Sequence, residues 1–176
     1  MSKSSSFPWA ISLSLKPQAL LKVFAFLAAM TLMTSCGSEG ENMSDNANPN
    51  LPVVTGEYGV NPDIVIPDQD PPSELASIDL VVGSGKVVEA SSTLTVNYSL
   101  VTWSDKAPIE SSFTSAPATF PLSGVITGWQ QGLVGAKEGS RRLLVIPPDL
   151  GYGASGAGPI APNETLVFVV DIIEVS

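Results

Sequence analysis

The chain has 176 residues, with 8 Lys and Arg against 17 Asp and Glu, for a formal net charge of −9. Nucleic acid is excluded as a partner on this balance, because binding it requires a cationic surface that displaces counterions from phosphates. There is no His and only one Cys, which removes imidazole bases and relays, internal disulfides and Cys-rich zinc sites, so neither a metal nor a cofactor is expected. What chemistry remains must come from a shaped pocket.

The charge is unevenly placed. Lys3, Lys16 and Lys22 precede Cys36, and every acidic residue follows it. Val23–Met33 is an uncharged, largely apolar run that would span only about 16 Å as a helix, against a bilayer core of about 30 Å. Basic residues, a short apolar run and then small residues form the layout of an export signal. Thr34 and Ser35 stand directly before Cys36, and this resembles a bacterial lipobox. The resemblance implies a signal peptide over 1–35, cleavage before Cys36, and a lipid on its sulfur that anchors the protein to a membrane in the cell envelope, on the extracytoplasmic side. The competing reading is a plain secreted protein with an incidental Cys.

Residues 36–76 read as an acidic tether. The stretch holds eight acids, no base, and many Pro, Asn, Ser and Gly residues, a composition that buries too little apolar surface to offset its ordering entropy. Forty such residues would reach about 35 Å. Its later part, Glu57–Pro72, carries Val60, Ile64, Val65 and Ile66, which allow it to pack along the domain that follows.

The folded domain is expected over 77–176. Thr93–Leu100 alternates strictly, with Leu94, Val96, Tyr98 and Leu100 on one side, as a half-buried strand requires. Ser140–Ile146 and Thr165–Val175 are also strand-like, the second so rich in Val, Ile and Phe that both faces are expected to be covered. Thr127–Ala136 is the internal candidate for a helix, and its glycines keep it short. No βαβ alternation occurs, so the class is α+β with an antiparallel sheet.

Gly151–Gly156 matches G-x-G-x-x-G, but a dinucleotide site needs a strand before it and a helix N-terminus after it. Prolines 147 and 148 precede it and prolines 159 and 162 follow, so the glycines are read as a tight loop presenting Tyr152. Trp129 lies in the short helical segment. The pieces Val125-Ile126-Thr127-Gly128-Trp129, Pro148-Asp149-Leu150-Gly151-Tyr152-Gly153 and Thr165-Leu166-Val167-Phe168 follow one another in order, with Tyr98 on the alternating strand before them. This ordered set resembles the FKBP-type peptidyl-prolyl cis-trans isomerases from about Leu80 to Val175. The lead-in V-x-G-x-Y-G-V-N-P, Val54 to Pro62, is similar to that of lipoprotein members from bacteria.

The resemblance implies a five- or six-stranded antiparallel half-barrel wrapped around one short helix, with an apolar pocket between them. It implies catalytic roles for Tyr98, Glu110, Phe120, Trp129, Tyr152 and Phe168, and substrate contacts for Ile109, Val125, Ile126 and Ile160. Taken singly, Val125, Ile126, Phe120 and Phe168 read equally well as core residues, Tyr152 as a turn residue, and Glu110 as a surface acid. Arg141 and Arg142 read as a solvated or carboxylate-paired strand edge. The sequence departs from the family at Ile109-Glu110, where Phe-Asp is usual, at Ala118, where an aromatic is usual, and at Leu100, where Gly is usual. These departures bear on pocket depth and on whether a macrolide ligand binds. The reading is a monomeric isomerase acting on X–Pro bonds of unfolded or partly folded extracytoplasmic polypeptides. A catalytically weak peptide-binding chaperone on the same fold is the alternative.

Overall fold

The computed structural model describes residues 49–176. The leader, Cys36 and the first part of the acidic stretch lie outside the described residues. Two ten-residue strands, β4 (Thr93–Thr102) and β8 (Leu166–Val175), pair antiparallel along their whole length and form the centre of the sheet. On the far side of β8 follow β7 (Arg141–Ile146) and then β3 (Ala76–Val81). The free edge of β4 is shared by β5 (Pro108–Ser111) and β6 (Ala118–Pro121). Every pairing in this sheet is antiparallel, giving six strands and, among the described residues, a single α-helix, α1 (Thr127–Gly132). The fold is therefore the α+β architecture expected from the sequence. Among the described residues no helix is long and apolar enough to cross a membrane.

Alternation decides what each strand buries. Along β4, Leu94, Val96 and Leu100 are buried on the concave face with Tyr98 half-buried beside them. Leu144 and Ile146 of β7 and Leu166, Phe168, Val170 and Ile172 of β8 complete that face, against which α1 lies. The intervening residues Leu143, Val145, Val167 and Val169 point the other way and are equally buried. Burying one such side chain is worth about 1.5–3 kcal/mol, so both faces contribute substantially. This is why Thr165–Val175 reads as a continuous apolar run.

The cover on the second face is the later part of the segment read as a tether, the part whose apolar residues allow it to pack along the domain; what is corrected is the domain boundary at 77. Two short strands, β1 (Val53–Thr55) and β2 (Asp63–Val65), form an antiparallel pair. Val54 and Ile66 are buried against Val101, Trp103 and the outward residues of β7 and β8, with Leu51 and Ile64 packed beside them. The folded unit thus extends N-terminally beyond residue 77.

A buried ion pair fastens this arm. Arg141 and Asp171, partners in register on β7 and β8, are each 1% exposed. The guanidinium donates to both carboxylate oxygens, Nε to Oδ1 at 2.6 Å and Nη2 to Oδ2 at 2.8 Å. It also donates to the arm carbonyls of Gly56 at 2.7 Å and Val60 at 2.6 Å, while the Gly59 N–H donates to Asp171 at 2.6 Å. A buried charge pair is tolerable only when its remaining donors and acceptors are met, and the arm backbone meets them. The tight turn that does so needs Gly56 and Gly59, whose φ values are +103° and +85°. Tyr58 adds a bond from its hydroxyl to the Ile172 carbonyl at 3.0 Å. Burial, then the charges of Asp171 and Glu138, raise the Tyr58 phenol above its ordinary range. Arg142 is likewise paired rather than solvated, with Asp79 of β3 at 2.7 Å.

Helix α1 is seated by close approach. A Cβ at Gly128 would fall 2.4 Å from Ile146 Cγ2, and one at Gly132 would fall 2.7 Å from Leu144 Cδ2. The Gly132 carbonyl accepts from Ser77 Oγ and from Arg142 Nη1, both at 2.8 Å, which ties the helix end to β3 and β7. Replacing Gly128 by Ala should destabilise the protein by about 1–3 kcal/mol through overpacking, although Ala favours an isolated helix by about 1 kcal/mol. A urea midpoint equal to or above that of the wild type would contradict this packing.

Candidate active site

The segment entering α1 makes the first wall. Pro121 and a 3-10 turn over Leu122–Gly124 lead to Val125 and Ile126 in extended conformation, and α1 begins at once. Gln130 Nε2 donates to the Val125 carbonyl at 2.7 Å and so fixes that wall to the helix. Trp129, in the first turn of α1, is 5% exposed and forms the floor.

Three rings surround the indole. Phe168 of β8 meets it edge-on at a centroid distance of 5.1 Å, Phe120 of β6 lies at 5.3 Å, and Tyr98 of β4 lies edge-on at 5.6 Å. Such edge-to-face pairs each add about 0.5–1.5 kcal/mol beyond burial. The indole N–H is buried with no hydrogen-bond partner among the described residues, a cost of about 1–3 kcal/mol. Trp129 is thus held by packing and by the position of α1.

Above the floor opens a cavity of about 430 Å³. Tyr98, Glu110, Phe120, Val125, Ile126, Trp129, Tyr152 and Phe168, all singled out from the sequence, line it together. Its polar groups are few. Tyr98 Oη donates to Glu110 Oε1 at 2.6 Å. Burial, then the hydrogen bond and charge of Glu110, then Tyr152, push the phenol pKa up, so the hydroxyl stays protonated as a donor across the neutral range. The Tyr98 backbone N–H donates to Ser112 Oγ at 2.9 Å, which itself donates to Asn97 Oδ1 at 3.1 Å. Tyr152 is 40% exposed and makes no hydrogen bond among the described residues, which leaves its hydroxyl free at the rim.

Two of the expected contact residues stand outside the cavity lining. Ile109 does not line the cavity: β4 pairs Leu100 with Glu110 and Val101 with Pro108, so Ile109 is the extra residue of a β-bulge and packs on the core. The bulge redirects the neighbouring side chain, here Glu110, in a way common beside active sites. Ile160 is 8% exposed within the core cluster, pinned by paired backbone bonds with Ala157, and the loop closes over it. Ala118, which the resemblance sets at a pocket position usually held by an aromatic, lines the cavity as expected, and Leu100 and Gly124 line it without having been named as contacts. Leu100 shares a strand face with Tyr98, and Gly124 directly precedes Val125, so periodicity and adjacency carried that signal.

The glycine-rich loop forms 3-10 turns over Pro148–Leu150 and Gly153–Ser155 with no helix after them. Gly156 has φ +65°, and a Cβ there would fall 2.4 Å from the Ile160 carbonyl oxygen, so the loop exists to turn sharply. Among the described residues no three His, Cys, Asp or Glu side chains converge as metal ligands would.

Comparison with known proteins agrees with this geometry. The family model described as FKBP-type peptidyl-prolyl cis-trans isomerase matches residues 80–173. An FK506-binding protein of Streptomyces anulatus is 42% identical over 119 residues, covering 65% of this chain and 96% of that protein. The isomerase FkpA of Escherichia coli K12 is 44% identical over 94 residues, which are 53% of this chain and 34% of FkpA. The crystal structure of E. coli FkpA superposes with a TM-score of 0.56 at 40% identity, covering 58% of this chain and 48% of that one. A Pseudomonas syringae peptidyl-prolyl isomerase structure gives 0.54 at 35% identity, covering 58% and 75%. With the aromatic cavity, the matched residues and the shared sheet in agreement, this chain belongs to the FKBP-type peptidyl-prolyl cis-trans isomerases.

Proposed function

We propose that the cavity over Trp129 is where this isomerase turns X–Pro bonds, without covalent chemistry, in polypeptides outside the cytoplasm. The observation that carries the mechanism is the Trp129 floor walled by Tyr98, Phe120 and Phe168, with two phenols and one carboxylate near its mouth. Rotation about X–Pro is slow because twisting removes amide conjugation, a barrier of about 18–20 kcal/mol that takes tens to hundreds of seconds to cross unaided. The twisted amide is less charge-separated than the planar one, so a dry apolar site favours it relative to water. No bond to the protein is made, and no nucleophile is required. Trp129, Val125, Ile126 and Phe168 hold the pyrrolidine ring, Phe120 and Tyr98 close the sides, and the free Tyr152 hydroxyl donates to a substrate carbonyl and orients it.

A thousandfold acceleration needs only about 4 kcal/mol of preferential transition-state stabilisation. The full-length protein should therefore accelerate cis/trans exchange in a short X–Pro peptide. Trp129→Ala should lose about a hundredfold of kcat/KM and Tyr152→Phe about tenfold or less. Folded Trp129→Ala at the wild-type rate would refute the assignment. A wild-type rate equal to the uncatalysed control would instead support a peptide-binding chaperone, the reading favoured by the small wall residue Ala118.

The proposed location rests on Ser35-Cys36 after a basic and apolar leader. Radiolabelled palmitate should enter the wild type in a bacterial host and fail to enter Cys36→Ala. Equal labelling of the two would remove the anchor.

A further inference from the structure

The wall that carries Glu110 is weakly held by its own bonding. It is a four-residue edge strand, it begins at Pro108, which has no N–H to donate, and it is bulged at Ile109. Yet Glu110 reaches Tyr98 at 2.6 Å, and a site group must be held to within about 0.5 Å to act. The ladder alone does not explain that precision.

The outer side of the same strand is held by the N-terminal arm. Ser111, next to Glu110 and facing away from the cavity, donates from Oγ to Asn61 Oδ1 of the arm at 3.0 Å. At the other end, in the turn joining β4 to β5, Lys106 pairs with Asp68, and Trp103 Nε1 donates to the Gln69 carbonyl at 3.1 Å. The arm itself is locked by the buried Arg141–Asp171 pair, and the Arg141 guanidinium lies 5.7 Å from the centre of the Phe113 ring, just past the end of β5. The arm therefore touches the segment on both sides of Glu110. It also lies outside residues 80–173, the part that the family model describes.

We propose that the arm, residues 51–70, is a positioning brace for the Glu110–Tyr98 wall of the active site, with Asn61 and Asp68 acting on catalysis through β5. This rests on the cavity being the site of isomerisation. Neither residue touches substrate. A proline-containing peptide pressing on the Glu110 wall would displace an unbraced edge strand, whereas the braced one holds the Tyr98 hydroxyl and the carboxylate where the peptide needs them.

The test is a double-mutant cycle in the full-length protein, read as kcat/KM on an X–Pro peptide together with thermal midpoints. Asn61→Ala with Asp68→Ala removes two exposed contacts and leaves the Arg141–Asp171 pair in place. That combination should lower kcat/KM by about fivefold, a coupling of the size seen between residues in contact. In a Glu110→Gln background it should have no further effect, because the brace acts through that side chain, while in a Tyr152→Phe background the fivefold loss should persist. A lowered thermal midpoint with unchanged kcat/KM, or the same loss in both backgrounds, would reduce the arm to a stabilising cover and overturn the proposal. Trp129→Ala separates the two layers. If it keeps wild-type activity, the site assignment fails and the brace with it; if it loses activity while the arm variant does not, only the brace falls.

Discussion

The distance between α1 and β7 is the constraint on which the rest depends. Among the described residues no partner accepts the indole N–H of Trp129, so its place as the floor is set by how deeply the helix sinks into the concave face. Gly128 and Gly132 let it sink, with Ile146 and Leu144 occupying the space that their side chains would need. Arg142 and Ser77 then pin the helix end at the Gly132 carbonyl. Only at this depth do Phe168, Phe120 and Tyr98 stand around the indole at 5.1–5.6 Å and leave a cavity above it. A helix riding higher would push Trp129 into that space.

The sheet answers to the same logic on its other side. A strand pair as apolar as β7 and β8 cannot leave one face in water, and residues 77–176 bring only Val101, Trp103, Ile78 and Leu80 from beside it. The arm covers it with Val54 and Ile66, and the Arg141–Asp171 pair gives its backbone a fixed landing place. Aromatic cavity and arm thus occupy opposite faces of one sheet. They meet at β5, whose inner side presents Glu110 and whose outer side meets Asn61.

Much of this was legible in the sequence. The strict alternation of Thr93–Leu100 gave the concave face of β4, and the ordered motifs brought eight of the ten expected cavity residues together. What failed did so for nameable reasons. Ile109 was expected in the cavity from its place in the family's Phe-Asp pair, and a bulge, which no local pattern in the sequence reports, leaves it outside the lining. Ile160 was drawn into the core by a loop whose path depends on left-handed glycines rather than on hydrophobic pattern. The arm was legible only in part: Ile64 and Ile66 marked it as able to pack, but its strands and its attachment were hidden by composition. Its Pro, Asp and Gly residues resemble a solvated linker, and its fixing point is a charge pair between two strands distant in sequence, Arg141 and Asp171, which no local pattern reports.

The most direct test of the account observes the peptide and the floor together. Exchange NMR on a proline peptide with substoichiometric protein reports cis/trans interconversion, and the indole N–H resonances of Trp129 and Trp103 report contact, Trp103 lying on the opposite face as an internal control. The account predicts exchange cross-peaks accompanied by a peptide-dependent shift of the Trp129 resonance, with Trp103 unmoved. Accelerated exchange that leaves Trp129 unperturbed would place the chemistry elsewhere and contradict it.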